Sequence, residues 1–284
     1  MPQETGQFER HDDDDHLALG AAAEGGASLC TIVGIEGSFS RRLGAQLAIL
    51  PSGEVVGSLS DGCLEQQLAA DCGEIAAAEV RRYGSGSSLV DFRLPCGGGL
   101  DILLDPAPDR GACAATLEAL ERRVPAALSL PRASAAKKRS YIPSLRIAAF
   151  GEGPELAAFE KLARAAGFAI EAIAKGRLAL GMGSGREPAD EWTATVLLFH
   201  DHEWELALLE EALAGGSFYI GAQGGRQARV GRLNELRRRG IAEPSLERIR
   251  SPIGTPAGSR TPQSLALSVL AEIAHEYERL RPAL

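Results

Sequence analysis

Leu145-Arg146-Ile147-Ala148-Ala149-Phe150-Gly151-Glu152-Gly153-Pro154 is an apolar run that closes on Gly-x-Gly, with a proline directly behind it. A short apolar run bounded by glycines reads as a buried strand, and a proline is tolerated in the first turn of a helix, where its missing N–H costs nothing. Strand, tight turn and helix in that order open a parallel, doubly wound sheet when strands and helices continue to alternate. Here they do. Residues 168–174, 193–199 and 217–221 read as further strands, and residues 154–166, 203–214, 226–239 and 262–281 as helices. Residues 144–284 are therefore predicted to form a Rossmann-like parallel α/β domain.

Gly151 and Gly153 are also the first two glycines of a dinucleotide fingerprint, which makes them candidate cofactor-binding residues. The fingerprint is partial. Leu156 stands at the third glycine position, and Lys175 follows the second strand where an acid would hold a ribose hydroxyl. These departures leave the fold expectation intact and argue against tight NAD binding. An NAD(P)-dependent oxidoreductase built on this domain, with His200 at its active site, is the alternative to weigh. His200-Asp201-His202 follows the third strand at the carboxyl edge of the sheet. It fits a metal site or, more simply, hydrogen-bonded loop histidines. Gly221-Ala222-Gln223-Gly224-Gly225-Arg226 is either an anion cradle or a plain turn.

The first half has a different texture. Residues 28–35 are strand-like and rich in β-branched types, and Ala45 to Leu50 and Glu54 to Gly57 flank a Pro51-Ser52-Gly53 turn, a hairpin signature. Residues 100–104 and 89–95 read as strands on either side of Cys96-Gly97-Gly98-Gly99. A helix is predicted from Cys63 to the vicinity of Arg81 and Arg82, and another over residues 113–124. Residues 29–124 thus read as an α+β domain with a mainly antiparallel sheet. Residues 125–143, rich in Pro, Ala, Ser and basic side chains, read as a linker. Residues 1–28, with four consecutive aspartates at 12–15 between His11 and His16, read as an acidic, disordered arm.

Two thiols in the first half lie where backbone amides are expected to be free. Ser60-Asp61-Gly62-Cys63 opens a helix, whose first amides lack internal partners and whose dipole favours anions and thiolates. Cys96 precedes three glycines, which can aim successive N–H groups at an anion. Between the first strand and the hairpin, Glu36-Gly37-Ser38-Phe39-Ser40-Arg41-Arg42 adds two guanidinium groups, the usual partners of phosphate. Cys63, Cys96, Ser60, Gly62, Gly97, Gly98, Arg41 and Arg42 are the candidate site: two soft ligands beside anion cradles, suited to something both metallic and phosphorylated. A zinc or copper site made by Cys63, Cys96 and a histidine is a further reading. Cys30, Cys72 and Cys113 fall in apolar stretches and read as small core residues.

With 284 residues, 45% apolar and 24% charged, the chain has the makings of one large or two ordinary globular domains. A net charge of −8 argues against nucleic-acid partners and acidic membranes. No apolar run approaches the roughly 20 residues of a spanning helix, and the polar N-terminus has no signal-peptide pattern. Five cysteines, an odd number without compact spacing, do not make a disulfide framework. A cytoplasmic location with reduced thiols is expected.

Taken in order, several blocks resemble the XdhC/CoxI family of accessory proteins of xanthine dehydrogenase and related molybdenum hydroxylases. They are Glu36 to Gly44, Gly57 to Glu65, Cys96-Gly97-Gly98, Phe150 to Gly153, His200-Asp201-His202, Tyr219-Ile220-Gly221, and Ser251 to Gly254 with Ser259 to Pro262. The resemblance spans most of the chain from Leu29 onward. It implies a protein that binds molybdenum cofactor, a molybdopterin, holds it during sulfuration and delivers it to the hydroxylase. It further implies that Cys63 and Cys96 act at the cofactor and contact molybdenum. The implied partners are a hydroxylase large subunit and a cysteine desulfurase, with the accessory protein a homodimer and a chaperone rather than a turnover enzyme. Asp61, Glu152, Pro154 and the Gln223-Gly224-Gly225 run depart from the family's usual residues.

Overall fold

The computed structural model describes residues 13–60, 62–87, 97–255 and 258–284. The chain divides into two compact units, one holding residues 13–143 with 281–284, the other residues 144–280.

In the first unit, alternation along one strand sets the layers. β1 (Ser28–Glu36) turns Cys30 and Ile32 to one face and Leu29 to the other, as the two-residue period of a strand requires. It pairs antiparallel with β2 (Gln46–Ile49) and with β5 (Gly99–Asp105). β3 (Val55–Val56) and β4 (Glu79–Gly84) complete the sheet in the order β3-β2-β1-β5-β4. On the Cys30 face lies α2 (Cys63–Glu74), whose Leu64, Leu68 and Cys72 pack on Leu47, Tyr83, Ile102 and Leu104. On the Leu29 face lie α1 (Asp14–Glu24) and α3 (Arg110–Glu121), through Ala18, Leu19, Ala22, Cys113 and Leu120. A hairpin of β6 (Ala126–Ser129) and β7 (Lys138–Tyr141) adds Leu128 and Tyr141 to that second core.

Three expectations are corrected. The stretch expected as a disordered arm over residues 1–28 contains α1, of which Ala18 and Leu19 are fully buried. Asp13 caps it by accepting from the His16 amide at 3.1 Å, and buried Asp15 receives Arg42, Arg139 at 2.8 Å and the Gln46 amide at 2.8 Å. Three of the four aspartates are thus built into α1 and its cap; His11 and Asp12 lie outside the described residues. The expected linker, 125–143, is the β6–β7 hairpin. Its Arg139 is 1% exposed and lies 4.3 Å from the Tyr141 ring centroid, its charge met by Asp15. The helix beginning at Cys63 ends at Glu74, and Arg81 and Arg82 lie on β4, because Tyr83 is buried under α2 with its hydroxyl donating to Asp71 at 2.5 Å. The strand expected over residues 89–95 lies outside the described residues.

The second unit is a parallel sheet. β8 (Arg146–Gly151) lies between β9 (Ala169–Ala174) and β10 (Thr193–Leu198), and β11 (Tyr219–Ala222) and β12 (Ile249–Arg250) follow, in the order β12-β11-β10-β8-β9. Because β9 and β10 flank β8 on opposite sides, the strand order reverses there, at the switch point of a doubly wound fold. α4 (Gly153–Ala165) and α8 (Pro262–Glu278) pack together, while α5 (Glu205–Ala214), α6 (Arg226–Arg238) and α7 (Glu243–Glu247) surround a core of Leu197, Phe199, Leu209, Ile220 and Leu236. α7 and β12 are too short to carry a period and were not foreseen. No helix among the described residues is long and apolar enough to cross a membrane.

Candidate functional site

One end of the antiparallel sheet gathers the loops that carry the first-half candidates. Glu36 at the end of β1 pairs across to Gly99 at the start of β5, and Gly99 pairs with Gly84 at the end of β4, so the three residues form a single rung. Arg82 reinforces that rung: its guanidinium pairs with Glu36, with Asp101 at 3.1 Å, and with the Ser85 carbonyl at 2.8 Å. The Ser85 amide donates to the Gly98 carbonyl at 2.9 Å, and a side chain at Gly37 would meet the Gly98 Cα at 3.5 Å. The loop after β1 therefore lies against Gly98. It also reaches the Cys63 loop, where Arg41 donates through Nε to the Ser58 carbonyl at 3.2 Å and through Nη2 to the Ser58 hydroxyl at 3.4 Å.

Cys63 is an exposed free thiol at the first position of α2. Gly62 before it has φ of 101°, a left-handed backbone that a side chain would strain, and it turns the chain abruptly into the helix. The amides expected to cradle an anion here are already used. Glu65, buried, accepts from Leu59 at 2.9 Å and Ser60 at 2.6 Å through one oxygen, and from Gly62 at 2.9 Å through the other. Ser60 and Gly62 thus present their N–H groups to the protein's own carboxylate. Among the described residues, the amides of Cys63 and Leu64 at the helix start have no such partner and remain for a ligand. Glu65 was not foreseen, although glutamate three residues after a helix cap is the sequence signature of a residue that reaches back to loop amides.

The two arginines separate. Arg41 stays at the loops, close enough to Asp14 for their charges to interact. Arg42 turns to buried Asp15 and pairs with it under α1. Gly97 has φ of 69° and is exposed, while Gly98 is buried beside Gly37. Cys96 and Asp61 lie outside the described residues. Cys30, Cys72 and Cys113 are buried as the sequence predicts, and burial pushes the Cys113 thiol up to about 11.

At the switch point of the second unit, Gly151 is required by packing: a Cβ there would stand 2.8 Å from the Leu198 Cβ of the neighbouring strand. Gly153 has φ of 70° and makes the turn into α4. Around them the carboxyl edge is acidic. Lys175 lies 3.3 Å from Glu152 and 3.7 Å from Asp201, with its ammonium 5.0 Å from the centre of the Trp204 ring. His200 stands 3.3 Å from Glu155, and His202 bonds to buried Glu205 at 3.2 Å, a carboxylate that also pairs with buried Arg232. Both histidines are thus hydrogen-bonded within the unit. No group of three or more His, Cys, Asp or Glu among the described residues is arranged to hold a metal ion.

Residues 21–84 match the XdhC and CoxI family, and residues 147–273 match the family's Rossmann domain. The chain is 33% identical to the molybdenum cofactor insertion chaperone PaoD of Escherichia coli K12, over 92% of this chain and 88% of that protein. A 41-residue segment, 14% of this chain and 8% of the other protein, is 49% identical to the E. coli protein YqeB. A Bacillus halodurans protein described as a xanthine dehydrogenase shares the fold, with a TM-score of 0.71 at 18% identity, over 96% of this chain and 98% of that one.

Proposed function

Because the chain belongs to the XdhC and CoxI family, we propose that it serves the maturation of a molybdenum enzyme, binding molybdenum cofactor, holding it during sulfuration and releasing it to the apoenzyme. The observation that carries this reading is the exposed Cys63 thiol at the first position of a helix, on a loop tied through Arg41 to a second loop that lies against Gly98. The donor set fits the group. A thiolate is a soft ligand suited to a sulfur-bound metal, and helix-start amides with a guanidinium suit a phosphate. Cys63 would contact molybdenum, with Cys96 as a second sulfur. The amides of Cys63 and Leu64, the Gly97-Gly98 backbone and Arg41 would receive the phosphate. Ser60 and Gly62 contribute by fixing the loop on Glu65. When bound, the cofactor supplies the metal centre used later in the client enzyme; this chain's residues bind, orient and shield it. A cytoplasmic setting, a homodimer, a molybdenum hydroxylase as recipient and a cysteine desulfurase as sulfur donor belong to the same proposal.

The test is retention. Purified protein is mixed with cofactor released from a molybdenum enzyme and passed through a desalting column, and molybdenum and pterin are then measured in the protein fraction. Wild type is expected to retain both in near-equal amounts, and Cys63→Ser to lose most of the molybdenum while melting at the wild-type temperature. Absence of both from the wild-type fraction would overturn the reading.

A further inference from the structure

Cys30, in the middle of β1, and Cys72, near the end of α2, are separated by 42 positions in sequence, yet their sulfur atoms stand 3.6 Å apart. Both belong to the core on the α2 face of the sheet, Cys30 fully buried and Cys72 7% exposed. We propose that Cys30 and Cys72 are a redox pair that closes to an intramolecular disulfide when the protein meets a peroxide, with Cys72 reacting first and Cys30 resolving. An S–S bond is about 2.0 Å long, so the sulfurs must approach by roughly 1.5 Å, within the scope of small side-chain rotations.

The asymmetry of the pair assigns the roles. Cys72 is the residue of the two with some exposure to solvent. Its pKa is lowered, first by the hydrogen bond from Cys30 and then by one involving Ser28, with Arg81 nearby, against an opposing effect of burial and Asp71. The same thiol hydrogen bond, with burial, pushes the Cys30 thiol up. Nucleophilic attack comes from the thiolate. The Cys72 sulfur attacks one peroxide oxygen, the O–O bond breaks, and a sulfenic acid forms with release of hydroxide or water. The Cys30 sulfur then attacks the Cys72 sulfur, its proton leaves with the hydroxyl as water, and the S–S bond forms. Two thiols lose two electrons in total, and the peroxide accepts them. The bond fastens to the sheet the helix whose first position is Cys63, and a crosslink across that many residues restricts the unfolded chain. The oxidised first unit is therefore expected to melt higher than the reduced one.

Reduced full-length protein is treated with graded hydrogen peroxide, blocked with N-ethylmaleimide and digested with trypsin without reduction. Cleavage at Arg41 and Arg42, followed by Glu-C cleavage at Glu65, places Cys30, Cys63 and Cys72 on three different peptides. The expected product is one crosslinked peptide pair containing Cys30 and Cys72, reversed by dithiothreitol. In Cys30→Ser, dimedone is expected to label Cys72 as the sulfenic acid. The proposal is overturned if Cys30 and Cys72 stay fully maleimide-reactive in urea after peroxide that has oxidised exposed Cys63, or if the only disulfides found join two chains through Cys63. The wild-type digest decides the matter even where Cys30→Ser folds poorly.

Discussion

Glu65 shows how a single side chain can shape a binding loop without touching a ligand. Its carboxylate collects the amides of Leu59, Ser60 and Gly62, and so closes the loop that presents Cys63. Glu65→Gln replaces one acceptor oxygen by a donor facing backbone N–H groups and leaves buried amides unpaired, at a cost of about 1–3 kcal/mol. Urea denaturation should show that loss, and the variant should retain less cofactor although Cys63 is intact. Unchanged stability would mean that the loop holds its shape by other means. At this scale the sequence was partly legible. Gly62 and Cys63 announce themselves, since a glycine before a run of helix formers marks a turn into a helix. The role of Glu65 rests on a three-residue reach back that many helix-start glutamates never use. The meeting of Cys30 with Cys72 depends on which face of β1 receives α2, and local sequence does not encode that.

Elements tell a similar story for charge. Consecutive aspartates read as solvated because an isolated carboxylate is costly to bury; what makes burial possible here is a set of arginines distant in sequence. Arg42, Arg139 and Arg281 converge on the first turn of α1 and its cap. Asp13 does two jobs, capping α1 and pairing with Arg281 at 2.6 Å. Burial opposes its ionisation, but His16 and Arg281 outweigh it and hold the carboxyl down to about 2, against an ordinary 3.8. A depressed carboxyl stabilises the fold above its unfolded pKa, and that contribution is lost as pH falls through the folded value. The window is therefore about pH 4 down to pH 2. Asp13→Asn keeps a good cap and removes the charge, whereas Asp13→Ala removes both, the cap alone being worth about 1 kcal/mol. Urea melts should rank wild type above Asn above Ala at pH 7. The gap between wild type and Asn should close by about pH 2, and a gap that survives there would show that the charge is not its source. The hairpin of residues 126–141 escaped sequence reading for the same reason. Its lysines and arginine look solvated until Asp15 and Tyr141 are seen to receive Arg139.

The whole chain was legible where patterns are long and periodic: the strand–helix alternation of the second half gave its parallel sheet, and the strand runs of the first gave an antiparallel one. Connectivity was not, since the last four residues return to the unit in which α1 lies. Arg281→Ala should lower the stability of that unit by about 1.5–3 kcal/mol, the range for hydrogen bonds to charged groups. Hydrogen exchange should show faster exchange across α1 and leave β8–β10 as they were. The second unit poses the sharper question, because its fold is the one that elsewhere holds dinucleotides. In such sheets the pyrophosphate sits on the helix start after the first strand. Here that edge carries Glu152, Glu155 and Asp201 around one lysine, Lys175, which already lies within 4 Å of two of them. A doubly charged ligand would displace Lys175 from its carboxylates and then face them. A ligand that binds the folded state raises stability in proportion to RT ln(1 + [L]/Kd), so neither NADH nor NADPH at millimolar concentration should raise the melting temperature of the chain. A clear rise would show that Gly151 and Gly153 still serve a nucleotide, and the charge argument would fail. Glu152→Gln with Asp201→Asn supplies the converse: it frees Lys175, and if charge is the obstacle, a rise absent in wild type should appear.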